Sequence, residues 1–160
     1  MWWIVAVVAA VVLIATYVTW IAARLDRLHA RAAAAHAALD AQLVRRAAAA
    51  AQLADTLGRG DLRQVARAAL DAVPEDRELA ENDLTRELRG IPLDGAAPVA
   101  AMISTSRQVA LTRQVHNDSV RDALAVRHRP LVRLLRLARR HPAPRYFDVD
   151  DPMLDPGVPA

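Results

Sequence analysis

The feature that most constrains this fold is an uncharged apolar run near the N-terminus, Ile4 to Thr19, bracketed by Trp3 and Trp20. The first charged side chain after it is Arg24. A helix from Trp3 to Trp20 is about 26 Å long, close to the hydrocarbon thickness of a bilayer. The run therefore predicts a transmembrane helix over residues 1–23, with rings at the membrane surfaces from Trp2, Trp3, Tyr17 and Trp20.

A cleaved signal peptide is the alternative use of such a run. Signal peptides place a basic segment before a shorter apolar run, whereas Met1-Trp2-Trp3 contains no Lys or Arg, so a retained anchor is favoured. Arg24, Arg27 and Arg31 follow the span. The positive-inside rule then predicts a single-pass protein of the cell membrane, with its N-terminus outside and its C-terminal bundle in the cytoplasm.

The rest of the chain has the composition of helix. Ala, Leu, Arg and Gln dominate after the anchor, and no useful period-2 alternation occurs. The predicted fold class is all-α, with the single N-terminal transmembrane helix continuing into an antiparallel bundle of long helices over residues 24–140. Gly and Pro divide the bundle into predicted helices at about 24–57, 61–73, 75–89, 98–129 and 131–140. The Pro- and Asp-rich tail, 141–160, is expected to be largely extended or disordered.

The apolar stripes of the two long helices predict which faces turn inward. In the first helix Leu and Ala recur at three- and four-residue steps from Leu25 to Leu57, and the stripe is mostly alanine. In the second the stripe becomes polar in mid-course. Its predicted inward positions are Ile103, Ala110, Arg113 or Gln114, Asn117, Val120 and Leu124.

Composition excludes several kinds of chemistry. The chain has no cysteine, which excludes disulfides and thiolate metal sites, and all 21 basic residues other than histidine are arginine. The five histidines do not form a metal-binding spacing, and no P-loop, dinucleotide-binding glycine motif or convincing Ser-His-Asp set occurs. We therefore predict no catalytic residue, no metal, no cofactor and no enzymatic activity.

Two adjacent arginines are candidates for a buried polar link. Arg45 and Arg46 point about 100° apart on a helix, so one can face the core while the other faces solvent. An inward Arg46 needs a partner, which Asn117 or Asp118 on the opposing helix could supply. Two snorkelling surface arginines are the equally weighted alternative.

The arginine-rich segment Leu131–Arg140 predicts an amphipathic helix with three competing uses. It can lie on the anionic inner leaflet, bind nucleic acid, or cap the bundle with its leucines while the arginines are solvated. The anchor and the scarcity of aromatic residues disfavour nucleic acid, and capping is the simplest use. Membrane-surface contact would involve Arg133, Arg136, Arg139 and Arg140.

Several segments resemble a known family in order and spacing. They are Leu-Asp-Ala-Gln-Leu-Val-Arg-Arg at 39–46, Ala-Glu-Asn-Asp-Leu at 80–84, Arg-Gln-Val-His-Asn-Asp-Ser-Val at 113–120 and Pro-Arg-Tyr-Phe-Asp at 144–148. With the anchor, they make the chain resemble a divergent LemA protein, and the Ala- and Arg-rich composition is typical of a GC-rich bacterium such as an actinobacterium. The family's Asp-Leu-Ile-Pro-Asn stretch is replaced by Ala47–Ala51, and its Tyr-Pro middle segment is absent.

The resemblance implies a membrane-anchored bundle of long helices with a cytoplasmic bulk and no defined catalytic mechanism. The expected function is scaffolding or protein interaction. The expected partners are the lipid bilayer and other membrane or membrane-associated proteins, without nucleic acid, and the chain can also form a homo-oligomer. The alternative is a small accessory subunit of a larger membrane complex, whose other spans would pack on the small residues Ala9, Ala10 and Ala15.

Overall fold

The all-α prediction is confirmed in the computed structural model, which describes residues 1–91, 97–135, 137–140 and 142–154. Helix makes up 82% of the structure, and these described ranges contain no strand. The elements are α1 (Trp2–Leu57), α2 (Gly60–Asp71), α3 (Arg77–Arg89), α4 (Ala97–Arg127), α5 (Pro130–Leu134) and a 3₁₀ turn (Leu137–Arg140).

The longest element, α1, runs unbroken through the predicted anchor and the predicted first bundle helix. It ends where the sequence places a glycine. Gly58 has a φ of 66°, and the backbone N–H of Arg59 donates to the carbonyl of Ala54 at 2.9 Å. A left-handed residue just after the last turn is the usual helix stop, and glycine adopts that conformation without a Cβ clash.

The chain divides into two compact units, each with its own apolar core. The first, here the anchor unit, comprises Met1–Ala34 and Asp118–Arg145. The second, here the bundle unit, comprises Ala35–Asn117 and the segment that begins at Tyr146.

In the bundle unit, the core lies among α1, α2, α3 and α4. Small and apolar side chains from each helix are fully buried in it, which gives the close helix packing that an alanine stripe allows. His36 contacts His116 and Arg46 contacts Ser106, so α1 and α4 run antiparallel here. The main buried cluster is Ala47, Ala50, Leu53, Ala54, Leu62, Ala66, Ala69, Leu84, Leu88, Ile91, Val99, Met102 and Leu154.

The inward face of α4 differs from the predicted stripe by about one residue. The helix buries Met102, Val109 and His116, and not Ile103, Ala110 and Asn117, whereas Val120 is buried as predicted. The buried face also contains Ser106, which accepts from Arg46, and His116, which contacts His36, so polar contacts as well as apolar burial set the register. The hydropathy pattern alone therefore gave the wrong register.

The predicted helix over 131–140 is wrong in extent. Its described part is a five-residue helix, α5, that starts at Pro130, followed by a separate 3₁₀ turn over Leu137–Arg140. Pro130 occupies the first turn of α5, where its missing N–H is tolerated.

In the tail, residues 142–154 contain no regular element, as expected, but the segment from Phe147 to Leu154 packs on the bundle unit. Phe147 and Val149 join Leu39, Leu43 and Val109 in a second buried cluster. The tail was expected to be largely extended or disordered, and the packing of residues 147–154 favours the first alternative, because burial of these apolar side chains stabilises one conformation. Residues 155–160 lie outside the described ranges.

Candidate functional sites: the apolar end of α1 and a buried polar cluster

The first twenty residues of α1 expose almost all of their apolar side chains. Among the described helices, α1 alone is long and apolar enough to cross a membrane. Leu13, near the middle of the run, is 69% exposed, and Trp2 and Trp3 are 90% and 70% exposed. This continuous apolar surface is long enough to cross the hydrocarbon core of a bilayer.

The polar atoms of this run are satisfied within the helix itself. The Thr16 hydroxyl donates to the carbonyl of Val12 at 2.9 Å, and the Thr19 hydroxyl donates to the carbonyls of Ala15 and Thr16 at 3.1 and 2.9 Å. In hydrocarbon an unpaired hydroxyl is costly, and these intrahelical bonds make the two threonines compatible with such surroundings.

Aromatic and cationic side chains meet at the C-terminal end of the apolar run. The rings of Tyr17 and Trp20 are stacked with centroids 6.3 Å apart, and the Arg24 guanidinium lies 5.7 Å from the Trp20 ring centroid. An amphipathic ring beside a cation is the arrangement expected at a headgroup layer. All four residues predicted to mark the membrane surfaces, Trp2, Trp3, Tyr17 and Trp20, are exposed on α1.

The second site is a polar cluster buried in the bundle unit around Arg46. Its guanidinium donates from Nη1 to Glu81 Oε2 at 2.9 Å, from Nη2 to Thr85 Oγ1 at 2.9 Å and from Nε to Ser106 Oγ at 3.3 Å. The side chains of Arg46 and Glu81 have no exposed area. One arginine of α1 thus links α3 and α4 through three side chains, while its neighbour Arg45 faces solvent.

A second ion pair connects α1 and α3 at the beginning of α3. Arg77 Nη2 lies 3.4 Å from Asp40 Oδ1, and Arg77 Nη1 donates to the carbonyl of Ala69 at 3.0 Å. The Arg77 side chain is only 12% exposed, whereas Asp40 is half exposed. Together with Arg46, this pair places two cations near Glu81, whose Oε1 is buried with no hydrogen-bond partner among the described residues.

Desolvation governs the ionisation of the Arg46–Glu81 pair. Burial raises the pKa of Glu81 above its ordinary value, and the charge and hydrogen bond of Arg46 only partly oppose that shift. Burial likewise lowers the pKa of Arg46, against the favourable effect of Glu81. Each shift favours the neutral form, as expected when two charges leave water for a closed interior.

The raised pKa of Glu81 predicts a pH dependence of stability. The folded chain holds the carboxyl proton of Glu81 more tightly than the unfolded chain does. The resulting contribution to folding stability is therefore complete below the ordinary pKa of 4.5, and it is lost as the pH rises through the raised pKa. We expect the free energy of unfolding, measured relative to E81Q, to fall as the pH rises above 4.5. Denaturant titrations of both chains in one detergent would measure this, and a difference that is flat or rises with pH would contradict it.

Asp61 affects the pH dependence of folding stability in the opposite direction to Glu81, and it does so at lower pH. Hydrogen bonds from the Arg59 guanidinium and the Leu62 backbone N–H lower the pKa of this exposed carboxylate to about 2. Its contribution is therefore present above the ordinary value of 3.8 and is lost only as the pH falls toward 2. Because E81Q retains Asp61, comparison with E81Q removes this effect from the Glu81 measurement.

Asn117 binds the tail rather than Arg46, so the expected Arg46–Asn117 link is corrected. Asn117 Oδ1 accepts from the backbone N–H of Phe147 at 3.0 Å, and Nδ2 donates to the carbonyl of the same residue at 3.3 Å. The reason is the register of α4, which places Ser106 beside Arg46 and leaves Asn117 more than two turns away from it along the helix.

The tail backbone is held between α3 and α4 by side chains of both helices. From α3, Glu78 and Asn82 accept the backbone N–H groups of Asp148 and Asp150 at 3.1 and 2.8 Å, and Arg89 donates to the carbonyl of Asp151 at 2.8 Å. From α4, Arg113 donates to the carbonyl of Val149. From Phe147 to Asp150 the bonds alternate between α4 and α3, whereas Phe147 and Val149 are the buried side chains of this stretch.

The basic segment is only partly described. Arg133 is exposed on α5, Arg136 lies outside the described residues, and Arg139 and Arg140 belong to the 3₁₀ turn, but the placement of their side chains is also outside the description. Val132 is buried in the anchor unit beside Ile21, Leu25 and Val126, whereas Leu131, Leu134 and Leu135 are exposed.

Within the part of the chain that the structure describes, no cluster of three or more His, Asp or Glu side chains is arranged to hold a metal ion. The ring centroids of His36 on α1 and His116 on α4 lie 5.4 Å apart. No family model, curated protein or solved structure matches the chain.

Sequence reasoning identified Arg46 as a candidate for burial but missed Glu81, Thr85 and Ser106. Glu81 lies in a helix of strongly polar composition, where a carboxylate gives no sign of burial. The available signal was the four-residue spacing of Glu81 and Thr85, which places both on one face of α3 with Leu84 and Leu88.

Proposed function

We propose that this protein is a single-pass membrane protein whose helical bundle has a scaffolding or protein-interaction role, and that it is a divergent member of the LemA family. The observation that carries the proposal is the exposed apolar end of α1, with its internally satisfied hydroxyls and aromatic side chains at both ends. The family assignment depends on the order and spacing of its sequence elements along the chain.

The proposed orientation places the N-terminus outside and the bundle unit in the cytoplasm. Arg24, Arg27 and Arg31 follow the apolar run, and the first 23 residues contain no basic side chain. Because basic residues that flank a span stay on the cytoplasmic side, the chain that follows them is expected to lie in the cytoplasm.

The proposed mechanism is binding rather than catalysis. The buried Arg46 and Glu81 side chains of the bundle unit bind each other. Arg46 also donates hydrogen bonds to the hydroxyls of Thr85 and Ser106. Such a link sets helix register, a role for which buried polar groups are known, and it offers no open polar pocket for a reacting molecule.

Cysteine accessibility would test the membrane insertion and the orientation. The natural chain has no cysteine, so Trp2→Cys, Leu13→Cys and Met153→Cys each create a single thiol at an exposed position. We expect an impermeant maleimide to label Trp2→Cys in intact cells, to label Met153→Cys only after permeabilisation, and to leave Leu13→Cys unlabelled in both cases. Labelling of Met153→Cys in intact cells would overturn the orientation, and labelling of Leu13→Cys would overturn the insertion.

The mass of the detergent-solubilised native complex would separate a scaffold from an accessory subunit. A monomer or homo-oligomer that captures partners only transiently supports the scaffold. Stoichiometric co-purification with other membrane subunits supports the alternative, in which the exposed small residues Ala9, Ala10 and Ala15 pack on neighbouring spans.

A further inference from the structure

The short helix α5 packs against α1 just beyond its apolar run. Val132 is fully buried beside Ile21, Leu25 and Val126, and Leu137 and Ala138 pack on the same cluster. These residues all belong to the anchor unit. The contacts therefore fix the position of α5 relative to the C-terminal end of the span.

That position corresponds to the headgroup layer if Trp20 marks the edge of the hydrocarbon. Along α1, Ile21 and Leu25 lie about 1.5 and 7.5 Å beyond Trp20. The headgroup layer on each side of a bilayer is roughly 5–8 Å thick. Through Val132, α5 is thus held at the depth of the lipid headgroups.

The exposed side chains of α5 and its flanks suit that depth. Leu131, Leu134 and Leu135 are 41%, 77% and 43% exposed, so these leucines do not cap the bundle. Arg129 and Arg133 are exposed beside them. Apolar side chains that face hydrocarbon, next to arginines that face phosphate, are characteristic of a helix lying in a membrane surface.

A cleft beside α5 brings cations and apolar side chains together. It has a volume of about 460 Å³, and its lining includes Arg127, His128 and Arg133 with Val132 and Ala138. Arg127 is partly buried, and its Nη1 lies 3.4 Å from Nε2 of His29. No Asp or Glu occurs from Ala123 to Phe147, so this segment, which includes the residues that line the cleft, contributes positive charge and no negative side chain.

We infer that α5 and this cleft bind the headgroup of an anionic phospholipid, with Leu134 inserted among the acyl chains of the same leaflet. The inference rests on the proposed insertion of α1. Arginines bind phosphate oxygens through charge-assisted hydrogen bonds, and the apolar floor of the cleft accommodates the start of an acyl chain. Lipid is the occupant favoured over a peptide or a second copy because the cleft adjoins the span at headgroup depth.

A polarity-sensitive fluorophore on a single cysteine would test the insertion of α5. Full-length Leu134→Cys, Leu111→Cys and Leu13→Cys would each be labelled and reconstituted in phosphatidylcholine vesicles with increasing phosphatidylglycerol. Leu111 on α4 is 64% exposed and is the matched control, and Leu13 reports the span. We expect the probe at residue 134 to enter an apolar environment as phosphatidylglycerol increases, while the probe at 111 does not respond.

The three probes distinguish the two possible failures. If the probe at residue 13 reports an apolar environment but the probe at residue 134 reports water at every phosphatidylglycerol content, the lipid site is overturned and the proposed anchor is retained. If the probe at residue 13 reports water, the proposed membrane insertion of α1 is overturned, and the lipid site that depends on it is overturned as well.

Charge removal would test the headgroup contact. In mixed micelles titrated with phosphatidylglycerol, the double variant Arg129→Gln, Arg133→Gln should bind this lipid roughly 30-fold more weakly than the natural chain. The control, Arg67→Gln with Arg107→Gln, removes the same charge from exposed positions in the bundle unit and should keep nearly full affinity. An equal loss in both double variants would indicate nonspecific charge attraction and overturn the site.

Discussion

Replacing Glu81 with leucine is expected to lower the free energy of unfolding by about 3–5 kcal/mol, because the buried Arg46 guanidinium then loses the carboxyl oxygen to which its Nη1 donates. The corresponding fall in melting temperature is about 6–20 °C for a chain of this size. Thr85 and Ser106 remain as hydrogen-bond acceptors, but neither carries a charge. Thermal or denaturant unfolding of the full chain in one detergent measures the effect.

The double variant Arg46→Met, Glu81→Leu separates the loss of a partner from the loss of the pair. Methionine and leucine fill the space without burying a charge, so we expect the double variant to be more stable than either single variant and within about 2 kcal/mol of the natural chain. Arg45→Ala is the matched control, since Arg45 is the exposed neighbour and its loss should cost at most about 0.5 kcal/mol. Single losses that simply add in the double variant would show that the two residues do not act as a pair.

The parts of the fold predicted from sequence are those with strong local signals. Gly58 stops α1 because its backbone adopts a positive φ, and Leu39, Leu43 and Leu53 are buried because their spacing follows one helical face. The apolar run of α1 stands out because no charged side chain occurs before Arg24. Each of these signals lies within a few turns of a single helix, where spacing and propensity act directly.

The parts that sequence missed depend on contacts between distant segments. Arg46 finds Glu81 and Ser106 at separations of 35 and 60 residues, and nothing local distinguishes these side chains from solvated ones. The register of α4 was also missed because its inward face contains His116 and Ser119, whose burial depends on partners rather than hydropathy. Composition predicted a largely extended or disordered tail, and it could not choose between the two because the contacts of residues 147–151 with α3 and α4 join distant parts of the sequence.

The packed tail yields the second large prediction, which concerns Phe147. This side chain is 7% exposed and is buried against Leu39, Leu43 and Val109, while its backbone is held at both N–H and carbonyl by Asn117. Loss of a buried phenylalanine ring removes apolar contacts and leaves a cavity. Phe147 is therefore the side chain whose burial most directly ties the tail to α1 and α4.

Phe147→Ala is expected to lower the free energy of unfolding by about 3 kcal/mol or more. The adjacent Tyr146 is 48% exposed, so Tyr146→Ala removes an aromatic ring of similar size from the same segment and should cost less than about 1 kcal/mol. The Phe147 variant should also be cleaved faster by protease within residues 146–154, because the backbone bonds to Glu78, Asn82 and Arg89 then lack the apolar contact that holds the segment in place. Equal stability and equal cleavage of the two variants would mean that the tail does not form part of the folded bundle unit.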